Sequence, residues 1–120
     1  MLNVGTEFRK GILFVSLKGH LNKDTINKLN KKVTNVVKEN GIRNIVFNFT
    51  NLKSIDIKGI NIIFYNYELC KNNEGISMFC GNNDNIRNKL KKSRLNVKKK
   101  QQLQIVRKKC SLITLAKIKK

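Results

Sequence analysis

The feature that most constrains this chain is the run Ile42-Arg43-Asn44-Ile45-Val46-Phe47-Asn48-Phe49, read with the segments on either side of it. Its centre is apolar at successive positions, the pattern of a strand covered on both faces. Before it, Ile26, Leu29, Val33, Val36 and Val37 step by 3, 4, 3 and 1, which lays them on one face of a helix. Asn27, Lys28, Lys31, Lys32, Asn35 and Lys38 occupy the opposite face, Asn22 or Asp24 is placed to cap, and Asn40-Gly41 supplies a left-handed ending. Further upstream, Ile12-Leu13-Phe14-Val15-Ser16-Leu17 reads as another strand, closed by Gly19-His20-Leu21-Asn22. A strand, a one-faced helix and a buried strand make a βαβ unit, which requires a parallel pair joined by a right-handed crossover.

The remaining elements extend this unit. Residues 4–10 are weakly strand-like, and Lys10-Gly11 turns them back onto the next strand as an N-terminal hairpin. After Phe49, residues 50–55 read as a short polar loop, with Asp56 set to cap the helix that follows, because its carboxylate can accept from the free N–H groups there. That helix is expected to bury Ile60, Ile63, Phe64, Tyr67 and Cys70, with Ile57 one turn earlier and Ile62, Tyr65 and Leu69 widening the face. Gly59 in its first turn is a poor helix former, which makes sense where another backbone or a partner comes close. Ile76-Ser77-Met78-Phe79-Cys80 is a fourth strand, and Gly81-Asn82-Asn83-Asp84 caps a third helix. In that helix Ile86, Leu90 and Leu95 face inward, while Arg87, Lys89, Lys91, Lys92 and Arg94 face water. Beyond residue 96 two readings stand: a short strand over 102–106 with a helix over 110–118, or one continuous basic helix from Val97.

Composition excludes several classes. At 120 residues the chain reads as a single domain, 1–120, with 97–120 as a basic C-terminal part. No run approaches the roughly 18–20 apolar residues of a membrane span. Glu7, Arg9 and Lys10 interrupt any signal-peptide pattern, so a cytoplasmic location is expected. Cys70, Cys80 and Cys110 form no CxxC pair, with His20 as the one imidazole, so neither a metal site nor a disulfide framework is expected, and Cys70 and Cys80 read as buried thiols. Seven acids, one histidine and no glycine-rich phosphate loop are too few groups for acid–base, metal or triad chemistry. The chain is read as a non-enzyme without a cofactor, and His20 as a loop residue.

The net charge of +19 is uneven: residues 1–84 hold 12 basic and 7 acidic side chains, whereas 85–120 hold 14 basic ones and no acid. Such a field attracts polyanions. Arg87, Lys91, Arg94, Lys98, Lys99 and Lys100 are the candidate contacts for weak, sequence-independent nucleic-acid binding. Supporting signs are missing, since no aromatic residue follows Phe79 for base stacking.

The order strand, strand, helix, strand, Asp–Gly turn, helix, strand, helix resembles the STAS domain, and in particular the free-standing anti-sigma factor antagonists of bacterial sporulation and stress control. Gly11-Ile12-Leu13-Phe14-Val15-Ser16-Leu17-Lys18-Gly19-His20-Leu21, residues 42–49, Ile55-Asp56-Ile57-Lys58-Gly59-Ile60 and Gly75-Ile76-Ser77-Met78-Phe79-Cys80 carry the resemblance, which covers about residues 1–95. It implies an α/β fold with a mixed, mostly parallel sheet of four to five strands packed with three to four helices. It also implies a switch, in which a serine at the helix N-terminus is phosphorylated by an anti-sigma kinase and the unphosphorylated form binds the anti-sigma factor. Asp56 matches the acid before that serine and Gly59 matches the family's glycine, but the serine position holds Ile57, followed by Lys58. Ile57 has no hydroxyl and takes no phosphate. Ser54 and Thr50 are nearby hydroxyls away from the matching position, Ser54 being the weak candidate acceptor. The expected docking surface is therefore Ser54, Asp56, Ile57, Lys58 and Gly59, engaging an anti-sigma factor or related regulatory protein without phosphate control at residue 57. A further reading from other uses of the fold is a STAS subunit of a transport complex.

Overall fold

The computed structural model describes residues 1–95 and 104–106. Strands β1 (Leu2–Arg9) and β2 (Ile12–Leu21) form an antiparallel hairpin closed by Lys10 and Gly11, both at positive φ. A helical rod crosses to β3 (Asn44–Ile55): α1 (Ile26–Leu29), a π-helical turn (Asn30–Thr34) and α2 (Asn35–Asn40), after which Gly41 leaves in the left-handed region. The chain continues through α3 (Ile57–Asn72), β4 (Ser77–Cys80), α4 (Asp84–Leu95) and β5 (Gln104–Val106). The sheet order is β1-β2-β3-β4-β5, with β2 to β5 mutually parallel. The expected mixed, mostly parallel sheet is thus the observed one, and the strand at Gln104–Val106 replaces the continuous helix from Val97. The expected helix over 110–118 lies outside the described residues.

One apolar core lies between the sheet and the helices. Leu13, Val15, Leu17 and Leu21 of β2 and Ile45, Phe47 and Phe49 of β3 meet Leu29, Val33 and Val37, Ile60, Ile63 and Phe64, and Ile86 and Leu90. Phe79 is fully buried at its centre, stacked on Phe47 with ring centroids 5.8 Å apart and edge-on to Phe64 at 6.3 Å. On the other face of the sheet Ile12, Val46, Met78 and Cys80 form a smaller buried cluster, which accounts for the unbroken apolar character of β3. No helix among the described residues is long and apolar enough to cross a membrane.

Several local expectations are corrected. Neither Asn22 nor Asp24 caps the first helix. Thr25 holds that position without a side-chain cap bond, and Asn22 instead accepts from the Asp24 N–H through Oδ1, because Asx side chains bond readily to the backbone two residues on. The rod is not purely α-helical. Its π-helical turn holds Thr34 buried, where its hydroxyl accepts from Asn66 Nδ2 of α3 at 3.0 Å. Arg87 does not face water: it is buried and its guanidinium lies 2.6 Å from the Asp84 carboxylate one turn earlier, so it leaves the set of polyanion contacts. Cys70 is a buried free cysteine whose thiol burial pushes up to about 11, as expected for an inert thiol. Cys80 is disulfide-bonded rather than a free thiol.

Gly41 and Gly75 separate two uses of glycine. Gly41 has φ +60 and open space around it. At Gly75 an added Cβ would collide with the Arg43 carbonyl, because the chain entering β4 passes directly against the start of β3. Gly41→Ala is expected to cost about 1–2 kcal/mol, the left-handed penalty alone. Gly75→Ala, which forces backbone apart, is expected to cost about 2–4 kcal/mol. Urea unfolding of the two variants checks this, and equal losses would show that the β3–β4 entry is not tightly fixed.

Candidate functional site

The site is built at the carboxyl ends of β2 and β3, where a parallel sheet hands its strands over to helices. Here the expected polar loop over 50–55 does not exist. β3 runs on to Ile55, because Leu52 and Ile55 are buried in the core while Lys53 faces solvent. Register shifts between Ser16 and Lys18 and between Gly19 and His20 accommodate this extension, which pairs His20 with Ser54 and Leu21 with Ile55. His20 is therefore a strand residue, not a loop residue, and its Nδ1 shares a 2.6 Å hydrogen bond with the Ser54 hydroxyl. Ser54 likewise sits in a strand instead of a loop.

A single residue, Asp56, separates β3 from α3. Its extended backbone (φ −104, ψ −177) turns the chain, and its N–H donates to the Leu21 carbonyl at 3.1 Å. The carboxylate then serves two backbones. Oδ1 accepts from the Gly59 N–H at 2.8 Å, capping α3 as expected, and Oδ2 accepts from the Lys23 N–H at 3.0 Å, tying down the turn after β2. The bond from Gly59 does most to hold the Asp56 carboxyl below its ordinary value of 3.8; burial opposes it, and the Lys23 N–H adds to the lowering.

Gly59 is buried, and an added Cβ would lie 2.6 Å from the Leu21 carbonyl oxygen and 2.9 Å from the side chains of Leu21 and Ile55. The close approach foreseen for this glycine is that of the chain's own β2. Ile57, the first residue of α3, is 73% exposed rather than directed inward. The strands end at Leu21 and Ile55, and the first turn rests on them through Gly59 while Ile57 stays in solvent, whereas Ile60 one turn later reaches the core. Lys58, Lys53 and Lys23 are likewise exposed.

Of the expected surface, the fold brings Ser54, Asp56, Ile57, Lys58 and Gly59 together at one pole. Ile57 and Lys58 point outward, and Asp56 and Gly59 hold the architecture. Two participants were not foreseen. Lys23 enters through its backbone N–H, for which no side-chain pattern signals, and His20 enters through a strand pairing set by register shifts. The charged set is not gathered in the same way. Lys91 is exposed on α4 and Arg87 is buried, while the Arg94 side chain and Lys98, Lys99 and Lys100 lie outside the described residues.

Asp56→Ala is expected to remove about 1–2 kcal/mol at neutral pH, the usual worth of such a cap. Because the folded-state value of the carboxyl is depressed, its contribution is present above 3.8 and is lost as pH falls through the folded value. The difference between wild type and variant should therefore narrow in acid urea titrations below that pH. A gap that stayed constant would mean the carboxylate is not the stabilising form.

A profile of the STAS domain matches residues 3–104. Solved structures share the architecture. An anti-sigma factor antagonist from Mycobacterium paratuberculosis superposes with a TM-score of 0.80 at 15% identity, over 100% of this chain and 96% of that one. The Bacillus cell-fate determinant SpoIIAA in its phosphorylated form gives 0.73 at 14% identity, over 95% and 99% of the two chains. The anti-sigma factor antagonist SpoIIAA in its unphosphorylated form gives 0.72 at 11% identity, over 96% of each. At such identities these likenesses establish the fold, and the profile match runs through the hairpin, the Asp56 turn and α3 as far as the first residue of β5. The chain belongs to the STAS domain family.

Proposed function

We propose that this chain is a non-catalytic regulatory module, acting in the cytoplasm, that docks an anti-sigma factor or a related regulatory protein through the pole around Asp56 and Gly59 and does so without phosphate control at residue 57. The observation that carries the reading is Ile57, 73% exposed in the first turn of α3, at the position where the family resemblance places a serine. An apolar side chain held out in water by a capped helix is a contact group and has no hydroxyl to modify. Phosphate on a serine there would add nearly two negative charges to a close-fitting surface and break the contact. Isoleucine keeps the neutral, docking-competent state whatever kinase is present.

The neighbouring groups support this division of labour. The Ser54 hydroxyl is bonded to His20 and lies on β3, not in the first turn of α3 that carries Ile57. Both Asp56 oxygens accept from backbone N–H groups, so the carboxylate is committed to architecture. Gly59 lets α3 sit against Leu21 and thereby sets the height at which Ile57 and Lys58 stand. Lys58 favours an acidic partner surface.

The test uses the purified chain, the anti-sigma kinase of the same organism and labelled ATP. Wild type should take up no phosphate and stay bound, whereas Ile57→Ser should be phosphorylated and released. Ile57→Glu should weaken the complex by about 10-fold or more, as loss of a central anchor does. Phosphate on wild-type Ser54 with release of the partner would contradict the proposal.

A further inference from the structure

The exposed surface of α3 does not stop at its first turn. Ile57, Asn61 and Tyr65 follow at four-residue spacing, so they form one stripe along the helix. Ile57 is 73% and Tyr65 41% exposed, and Asn61 between them is exposed as well. The other large apolar side chains exposed among the described residues are Met1 and Phe8, just before the start and near the end of β1. Single exposed apolar residues are ordinary. Two on one stripe, about 12 Å apart at the rise of an α-helix, match the spacing by which an amphipathic helix is gripped.

Charge selects the occupant. Lys58 adjoins Ile57, and Lys38 from α2 reaches across so that its Nζ lies 5.3 Å from the Tyr65 ring centroid. Each apolar anchor thus has a cation beside it, and Lys23 adds a third next to the Asp56 turn. Of the acids in this region, Asp56 is bonded to backbone, Glu68 is half-buried and engaged, and Asp24 and Glu39 are exposed. The chain as a whole carries +19. A tyrosine ring with a cation over it is a stiff anchor of the type that dominates binding energy in interfaces.

We propose that the outer stripe of α3 receives an acidic amphipathic helix of a protein partner, whose apolar residues seat on Ile57 and Tyr65 and whose carboxylates face Lys58 and Lys38. This inference rests on the docking reading of the pole, and it extends that surface along α3 to Tyr65 and onto α2. It assigns Tyr65 and Lys38 to binding, where the core of the domain makes no use of them.

The probe is a synthetic acidic helix with leucines seven residues apart flanked by glutamates, titrated into the isotope-labelled full chain and followed by amide shifts. The expected changes cluster along the outer face of α3 and near Lys38. Ile57→Ser and Tyr65→Ala should each weaken binding about 10-fold, Lys38→Glu and Lys58→Glu should weaken it further with rising salt dependence lost, and Phe8→Ala should leave it unchanged. All five positions are exposed, so unchanged thermal unfolding certifies that each variant is folded. Shifts confined to residues 96–120, or a Tyr65→Ala variant that binds like wild type, would overturn the inference. So would tighter, Ile57- and Tyr65-dependent binding of phosphatidylglycerol vesicles or of a DNA duplex titrated in parallel. The same variants assayed against the anti-sigma factor separate the two levels. Loss with Ile57→Glu but not with Tyr65→Ala or Lys38→Glu ends the extended surface and leaves the pole standing, and loss with none of them ends both.

Discussion

Two hydrogen bonds to one carboxylate position the strand ends, the turn and the helix start that make up the proposed docking pole. Asp56 accepts from Gly59 at the start of α3 and from Lys23 after β2, while its own N–H reaches the Leu21 carbonyl. These three bonds join two strand ends, one turn and one helix within a few residues. Charge-assisted bonds to backbone donors are among the stronger ones available to a partly exposed group, and both oxygens accept from N–H groups, which favours the ionised form and holds the carboxyl below its ordinary value. The residue that caps the helix also holds the turn beside it.

The apolar tip depends on this fixture. α3 lies close enough to β2 that only a glycine fits at residue 59, and the sheet ends just before the first turn. Ile57 is therefore carried clear of the core on a helix whose next turns are anchored by Ile60, Ile63 and Phe64. Rigid presentation lowers the entropy lost on docking. SpoIIAA, which shares the fold, has been solved with and without phosphate; in the proposed reading an isoleucine at this point of the present chain would keep the surface and lack the modifiable group.

Much of this was legible in the residues, and the exceptions have physical causes. Periodicity located the core helices because Leu29, Val33 and Val37 must share a face, and Asp56 was readable as a cap because capping chemistry is local. The strand beyond Phe49 was missed: polar Asn51, Lys53 and Ser54 hide the buried Leu52 and Ile55, and bulges in the β2–β3 pairing break strict alternation. Ile57 misled because helical spacing from Ile60 places it on the inner face, whereas it is the first residue of α3, just past the end of β3, and only Gly59 of that turn meets the strand ends. Arg87 misled in the opposite sense, its charge being met by Asp84 within the same turn. Tyr65 was counted with the core for the same reason as Ile57, since a stripe read from spacing has no knowledge of where the neighbouring layer ends.

The central claim is that binding occurs at the Asp56 pole and along α3, not through the basic C-terminal part. Hydrogen–deuterium exchange of the complex with the anti-sigma factor measures this most directly. Protection centred on residues 20–24 and 54–66, with 96–120 unchanged, is the expected footprint. Protection confined to 96–120 would contradict the account.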